Sequence, residues 1–537
     1  MSSQRRVFLF VPLFLGTCAL LGGLFGPAAQ TVSAAPQREA AGADQDLQAS
    51  LDSFTKVYST VEQNYADRLS ADKAIYRGAI PGMLRTLDPH SNFFDPKEFA
   101  GMREEQHGKY YGVGMRIGPS RTGKTIVVAP FGGSPAYRAG LRPGDLLVEI
   151  NGKRVENATS TEIADMLKGP KGTKVQVVVQ REGAAKPLVF NLIRDEIPQN
   201  SVDEAFWIKP GIAFIRVKSF TETTSKELED SLKELGEQNV HGLVLDLREN
   251  PGGLLQEGVA VAGHWLDRGQ VVVSHKGRAF TEKPYLARGS QFGESYPIVV
   301  LVNRYSASAA EIVAGALQDH DRAIILGETT FGKGLVQTVY QLSDNTGLAL
   351  TTQHYYTPSG RLIQRNYSNI SFLDYYYGKR SDTKNPQDVK QTDLGRVVYG
   401  GGGISPDIKY EAPKYDEFET SILRHNAFFD FSAHYFATHD TKLPSGWVPD
   451  ESVLNEFHDF LMNQKITFTE ADWTRDRDQL RNRLRAEMYI AAFTYEESLR
   501  VQVQQDAEVA KAIEAMPQAS DLLTKTKERF EKQRASR

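Results

Sequence analysis

Between residues 196 and 410 short apolar runs take turns with amphipathic stretches, and that alternation narrows the fold more than any other feature of the chain. Residues 212–217 and 243–247 read as buried strands, with a helix over 225–235 between them. Residues 298–302 and 323–326 are two more strands, placed around a helix over 309–317. A segment that alternates in this way closes its apolar surface as an α/β core, helices packed on a sheet.

The flanking regions follow other patterns. Residues 110–195 carry four short apolar stretches, 125–129, 146–150, 175–180 and 188–193, cut by turns such as Arg142-Pro143-Gly144-Asp145 and Asn151-Gly152. One helix, 160–168, interrupts them, so this is a small β-rich module. From residue 51 the spacing of Phe54, Val57, Tyr58, Val61 and Tyr65 predicts a helix. A second helix over 73–87 stops at Asp88-Pro89, and the pair reads as a packing or dimerisation unit, which leaves a homo-oligomer open. Residues 35–50, rich in Ala, Gln and Asp, read as a flexible linker, and 365–400, with Tyr375-Tyr376-Tyr377, as an insertion. Past residue 415 the chain is helical and charged, Leu480, Leu484 and Met488 marking an apolar stripe. A brace is the default reading there. The expected divisions are thus 1–34, 35–50, 51–105, 106–195, 196–412 and 413–537.

Charge and cysteine usage remove several classes of function. Lys plus Arg number 63 against 67 Asp plus Glu, a net charge of −4, which lacks the basic excess that nucleic acid demands. Arg5-Arg6, an apolar run over 7–25 and Val32-Ser33-Ala34 follow the order of a secretory leader, while the length of the run keeps an uncleaved membrane anchor as its rival. Either places the remainder outside the cytoplasm, in the periplasm or cell envelope. The single cysteine, Cys18, lies inside that run, so cysteine catalysis, Cys-ligated zinc and intrachain disulfides are excluded for the mature protein.

The densest chemical signal is Asn303-Arg304-Tyr305-Ser306-Ala307-Ser308-Ala309-Ala310-Glu311-Ile312. A strand ends, small residues follow and a helix begins near Ser308. A serine at that position can expose its hydroxyl beside free N–H groups, the parts of a nucleophile and half an oxyanion hole; read alone, Ser306 or Ser308 would be a helix cap. A hydroxyl also needs a base. His320 lies twelve residues along the same helix, about 18 Å away at ~1.5 Å per residue, and is better read with Asp319 as a helix-end residue. Lys333, in Phe331-Gly332-Lys333-Gly334, is the stronger candidate, because apolar Phe331, Leu335 and Val336 can bury it and depress its pKa. Gln337 can orient the amine only if the segment turns locally, since four residues of strand span about 13 Å. Residues 327–334 also match the spacing of a Walker A loop, but Gly334 replaces its Ser or Thr and strand-like residues follow. Finally, a strand over 243–247 runs into Arg248-Glu249-Asn250-Pro251-Gly252-Gly253, where Gly252 or Gly253 can offer a second oxyanion donor.

These three segments, in this order, resemble the carboxyl-terminal processing peptidases, also called tail-specific proteases, which pair a serine with a lysine 25 residues downstream as Ser308 and Lys333 are paired. The resemblance implies Ser308 as nucleophile, Lys333 as general base, Gln337 as its orienter, and an oxyanion hole made by the N–H of Ala309 and of a glycine of Gly252-Gly253. It also makes the β-rich module similar to a PDZ domain. Tyr111-Gly112-Val113-Gly114 matches that domain's carboxylate-binding loop, and Ser134-Pro135-Ala136-Tyr137-Arg138-Ala139-Gly140-Leu141 its central signature. Successive N–H groups in such a loop nest a terminal carboxylate while the peptide adds as a strand; Ile163 and Leu167 would line the apolar side of the groove. The expectation is therefore an exported serine endopeptidase with a spiral-type α/β core and an inserted PDZ-like domain. It would act on proteins with exposed C-termini and need no metal or organic cofactor. The rival is a catalytically silent exported PDZ scaffold.

Overall fold

The computed structural model describes residues 40–70, 72–289, 296–368, 370–378, 388–439 and 442–535, so the leader or anchor expected over 1–34 lies outside it. Among the described residues no helix is long and apolar enough to cross a membrane.

The core sheet has six strands, ordered Val202–Lys209, Ile212–Val217, Gly242–Asp246, Ile298–Val302, Ile324–Gly327 and Ile408–Lys409. The first pair is antiparallel and every later pair parallel. Because side chains alternate along a strand, the continuous apolar runs serve two layers at once. Leu243, Leu245, Ile298, Val300 and Val302 pack with Val261 and Val313, from the helices Leu255–Gly263 and Ala309–Asp319. Val244, Val299, Leu301 and Leu326 face the other way, against Val509, Ala512 and Met516. That second layer comes from the last helices, Ala507–Glu514 and Met516–Ala535, so the end of the described chain braces the sheet. Arg248 fastens it there, donating to Asp506 at 2.7 Å and Glu508 at 2.8 Å while also paired with Asp246.

A second sheet of five strands stands beside the first and includes Val271–Gly277, Phe280–Leu286, Leu335–Gln341 and Gly347–Tyr356. Its fifth strand, Asn92–Phe94, comes from the N-terminal unit and pairs antiparallel with Gly347–Tyr356. That unit is therefore not helical throughout, and part of it is built into the core. Its first helix, Ala40–Asn64, begins inside the stretch expected to be a linker; alanines and glutamines carry little helical penalty there. The stripe Leu47, Leu51, Phe54, Val61 and Tyr65 is exposed. The second expected helix occupies Asp72–Ala79 as a π-helix and Ile80–Arg85 as an α-helix, ending before Asp88.

The β-rich module forms a sheet ordered Met115–Pro119, Thr125–Pro130, Leu146–Ile150, Lys174–Gln180 and Leu188–Ile193, with Lys153–Arg154 paired beside the third. Its one long helix, Ser160–Leu167, opens on a capping box between Thr159 and Glu162. Two ion pairs, Lys97 with Asp165 and Lys168 with Glu104, hold it against the helix Pro96–Gln106. The predicted insertion contains the helix Phe372–Tyr377 and the hairpin Val389–Gln391 with Val397–Tyr399. Beyond it, Glu417–Arg424, Ala427–Thr438, Glu451–Asn463 and Glu470–Ala492 gather around their own apolar core, into which Leu480, Leu484 and Met488 are buried.

Candidate active site

Ser308 stands at the junction of strand and helix, as the Ncap of Ala309–Asp319, with φ 54° and ψ −116°. Positive φ is costly for a residue with a side chain and persists only where surrounding contacts enforce it. Those contacts are present. Ser306, wholly buried, donates its hydroxyl to the Leu247 carbonyl at 2.7 Å and accepts from the Asn303 N–H at 2.9 Å, which makes it a structural serine. The Ala307 N–H reaches the Asn250 carbonyl at 2.9 Å, and the Tyr355 hydroxyl donates to the Ser308 carbonyl at 3.1 Å.

The Asn250–Gly253 turn presses on the serine. A Cβ on Gly252 would lie 2.6 Å from Ser308 Cβ, and one on Gly253 2.1 Å from the Phe220 carbonyl oxygen, so neither position accepts a side chain. Their φ values, +99° and +146°, demand glycine independently. The two amides then part company. Gly252 gives its N–H to Asn250 Oδ1 at 2.8 Å, itself anchored by its Nδ2 on the Val217 carbonyl at 2.6 Å. The N–H groups of Gly253 and Ala309 have no acceptor among the described residues.

Lys333 is 1% exposed, in the loop between Ile324–Gly327 and Leu335–Gln341. Its neighbours along the chain Phe331, Leu335 and Val336 are buried as well. The loop is tied to the serine turn by backbone and side chain together. The Phe331 N–H donates to the Ser306 carbonyl at 2.9 Å. Glu311, in the first turn of the serine's helix, accepts the Ser308 N–H and the Lys333 N–H on one oxygen, Oε2, each at 2.9 Å. The two amide nitrogens are thus no more than about 6 Å apart, the length of two such bonds end to end. Gln337 is wholly buried; its Nε2 donates to Thr351 Oγ1 at 3.1 Å, and its Oε1 accepts nothing among the described residues. The register shifts between Val336, opposite Gln353, and Gln337, opposite Thr351, so the extra residue of the bulge, Thr352, lies on the partner strand. A strand follows the lysine where a nucleotide loop needs a helix.

What roofs this loop was not foreseeable from the residues around it. His90 is buried between Tyr375, 2.9 Å from its Nε2, and Tyr376, 3.2 Å from its Nδ1. Burial, and then the positive charges of Lys333 and Arg365, hold the imidazole well below its ordinary pKa, so it is neutral. The Arg365 guanidinium lies 4.0 Å from the ring centres of both Phe331 and Tyr375. The Tyr-rich stretch read as an insertion is therefore a wall of the lysine pocket.

His320 sits at the far end of the serine's helix, bonded to Asp393 and to the Val271 carbonyl, each at 2.8 Å. Burial alone would lower its pKa, but those two acceptors outweigh it and raise it. Asp319 is buried against Arg361. Both are helix-end residues, as expected.

In the β-rich module Tyr111 and Gly112 lie on the strand Lys109–Gly112, paired with Glu196 and Asp195. The Val113 carbonyl accepts from Ala136, and the Gly114 carbonyl from Phe131 and the Ser134 hydroxyl. The N–H groups of Val113 and Gly114 have no acceptor among the described residues. Ile163 and Leu167 are buried in the module's core, 0% and 5% exposed, and offer little open groove surface as the chain stands.

Comparison with known proteins makes this chain a serine-type peptidase joined to a PDZ domain. Models of peptidase family S41, of a PDZ domain and of the C-terminal helical domain of probable PDZ-proteases match residues 211–370, 127–181 and 418–472. The carboxy-terminal-processing protease of Bartonella bacilliformis is 37% identical over 325 residues, 60% of this chain and 74% of that protein. The carboxyl-terminal-processing protease of Synechocystis sp. is 38% identical over 313 residues, 57% of this chain and 72% of that one. Among solved structures, a photosystem II D1 C-terminal processing protease aligns at 30% identity over 67% of this chain and 87% of that chain, with a TM-score of 0.35. The chain belongs to the carboxyl-terminal processing protease family.

Proposed function

We propose that this protein is an exported endopeptidase that cuts protein substrates near their C-termini through an acyl-enzyme on Ser308. Lys333, as the free amine, takes the hydroxyl proton as Ser308 attacks the scissile carbonyl. It returns that proton to the leaving amine, then activates the water that releases the acyl group. The N–H groups of Ala309 and Gly253 receive the oxyanion, since each lacks another acceptor. Gln337, buried on the strand that follows the lysine, keeps an Oε1 with no partner among the described residues; in this reading that oxygen takes up the Lys333 amine during the reaction and orients it. The observation that carries this reading is the sharing of Glu311 Oε2 by the Ser308 and Lys333 amides. It ties together the backbones of two residues 25 positions apart in the sequence.

The PDZ domain captures the substrate tail. The terminal carboxylate sits on the Val113 and Gly114 N–H groups, and the peptide adds along Met115–Pro119, whose outer edge pairs with no described strand. Residues 1–34 serve as the leader or anchor that carries the enzyme into the periplasm or cell envelope. The test uses an unfolded substrate with an apolar tail, as free acid and as C-terminal amide. Wild type is expected to cleave the acid at least about tenfold faster, by the loss of a charge-assisted contact. Ser308→Ala should bind the tail peptide with unchanged affinity and cleave nothing. Equal cleavage of acid and amide would remove the tail-binding role, and cleavage by Ser308→Ala would remove the mechanism.

A further inference from the structure

Glu311 is wholly buried and collects four hydrogen bonds, yet the mechanism above gives it no chemical step. Oε2 accepts the N–H of Ser308 and of Lys333, each at 2.9 Å. Oε1 accepts the Gly332 N–H at 2.7 Å and the Thr330 hydroxyl at 2.5 Å. Thr330 is held in turn by the Ile404 N–H, which donates to its Oγ1 at 2.7 Å. A glutamate three residues into a helix ordinarily does no more than cap its own Ncap in solvent. Here one carboxylate clamps the nucleophile's turn and the lysine's loop, which the chain itself joins only through 25 residues.

We infer that Glu311 is the positioning residue of the Ser308–Lys333 pair, fixing their separation and holding Ser308 in its positive-φ conformation. The inference rests on the catalytic reading of those two residues. All four partners are donors, so only a doubly accepting carboxylate satisfies them. An amide at this position must turn its NH₂ toward at least one N–H or O–H, whichever way it flips, and so release one side of the clamp. Burial raises the carboxyl's pKa while the hydrogen bonds to Thr330, Lys333, Gly332 and Ser308 oppose that rise. When ionised, Glu311 places a negative charge beside the Lys333 loop, favouring the ammonium over the free amine. Facing the same space are neutral His90 from the 88–91 segment, Arg365, Tyr375, and Tyr355 from the adjoining sheet.

The experiment is steady-state cleavage of a tailed peptide across pH by the full chain carrying Glu311→Gln, beside Ser308→Ala and Lys333→Ala. Glu311→Gln should lower kcat about 10²-fold, the cost of a misplacement near 1 Å, with KM within about threefold of wild type. The acid limb of kcat/KM should move to lower pH, because the charge that favours the ammonium is gone. Should the variant fail to fold, Thr330→Val removes one of the four donors and is expected to lower kcat about fivefold at constant KM. Wild-type kcat in the folded variants, or a fall in kcat with the acid limb unmoved in Glu311→Gln, would overturn the inference. Activity in Ser308→Ala or Lys333→Ala would instead overturn the reading beneath it. Those two inactive beside a fully active Glu311→Gln sinks the positioning role alone.

Discussion

Lys333→Met is expected to lower kcat by about 10³- to 10⁴-fold, the upper range for loss of a general base, while stability changes by less than about 1 kcal/mol. Methionine is close to the lysine chain in length and is apolar, so the buried space that Lys333 occupies stays filled. The backbone N–H that binds Glu311 is unaffected by the change. An amine that merely closed a buried ion pair would behave in the opposite way, because removing one partner leaves an uncompensated buried charge and costs about 3–5 kcal/mol. Measuring kcat and the thermal midpoint on the same preparation separates the two. Lost stability with retained turnover would make Lys333 structural.

The second large effect concerns stability. Arg361 is wholly buried, paired with Asp319 and donating to Gln318 Oε1 at 3.1 Å and the Tyr399 carbonyl at 3.2 Å. It joins the end of the serine's helix to the segment that straps the lysine loop, where the Arg365 N–H donates to the Gly332 carbonyl at 3.0 Å and Gln364 Oε1 accepts from Gly334 at 2.8 Å. Arg361→Met should cost about 3–5 kcal/mol, because Asp319 is left buried without its cation. For a core of this size that lowers the thermal midpoint by roughly 6–20 °C. Adding Asp319→Asn should restore part of the loss. A midpoint within about 2 °C of wild type in Arg361→Met would show that the pair does not hold the core together.

Most of the core was legible because its signals are local. The runs at 212–217, 243–247 and 298–302 announce buried strands by composition, and the glycines at 252 and 253 announce a turn that permits no side chain. The resemblance to the family then singled out Ser308 and Lys333. What stayed hidden depends on pairings remote along the chain. Asn92–Phe94 is three residues long, too short for a periodic pattern, and its partner strand lies over 250 positions away. Tyr375 and Tyr376 read as an insertion because nothing local says that His90, more than 280 residues earlier, completes their hydrogen bonds. Glu311 had the spacing of an ordinary capping residue, and its bonds to Thr330, Gly332 and Lys333 are invisible without coordinates. The closing helices showed as helices, but not that Val509, Ala512 and Met516 cover one face of the protease sheet.

In the proposed mechanism Ser308 Oγ is the atom acylated and Lys333 makes it reactive. Its most direct test is intact-mass and peptide-level analysis of the protein after reaction with a fluorophosphonate, in wild type, Lys333→Met and Ser308→Ala. One adduct per chain is expected on the peptide containing Ser308, formed at least about 10²-fold more slowly in Lys333→Met and absent from Ser308→Ala. An adduct on any other residue, or labelling of Lys333→Met at the wild-type rate, would contradict it.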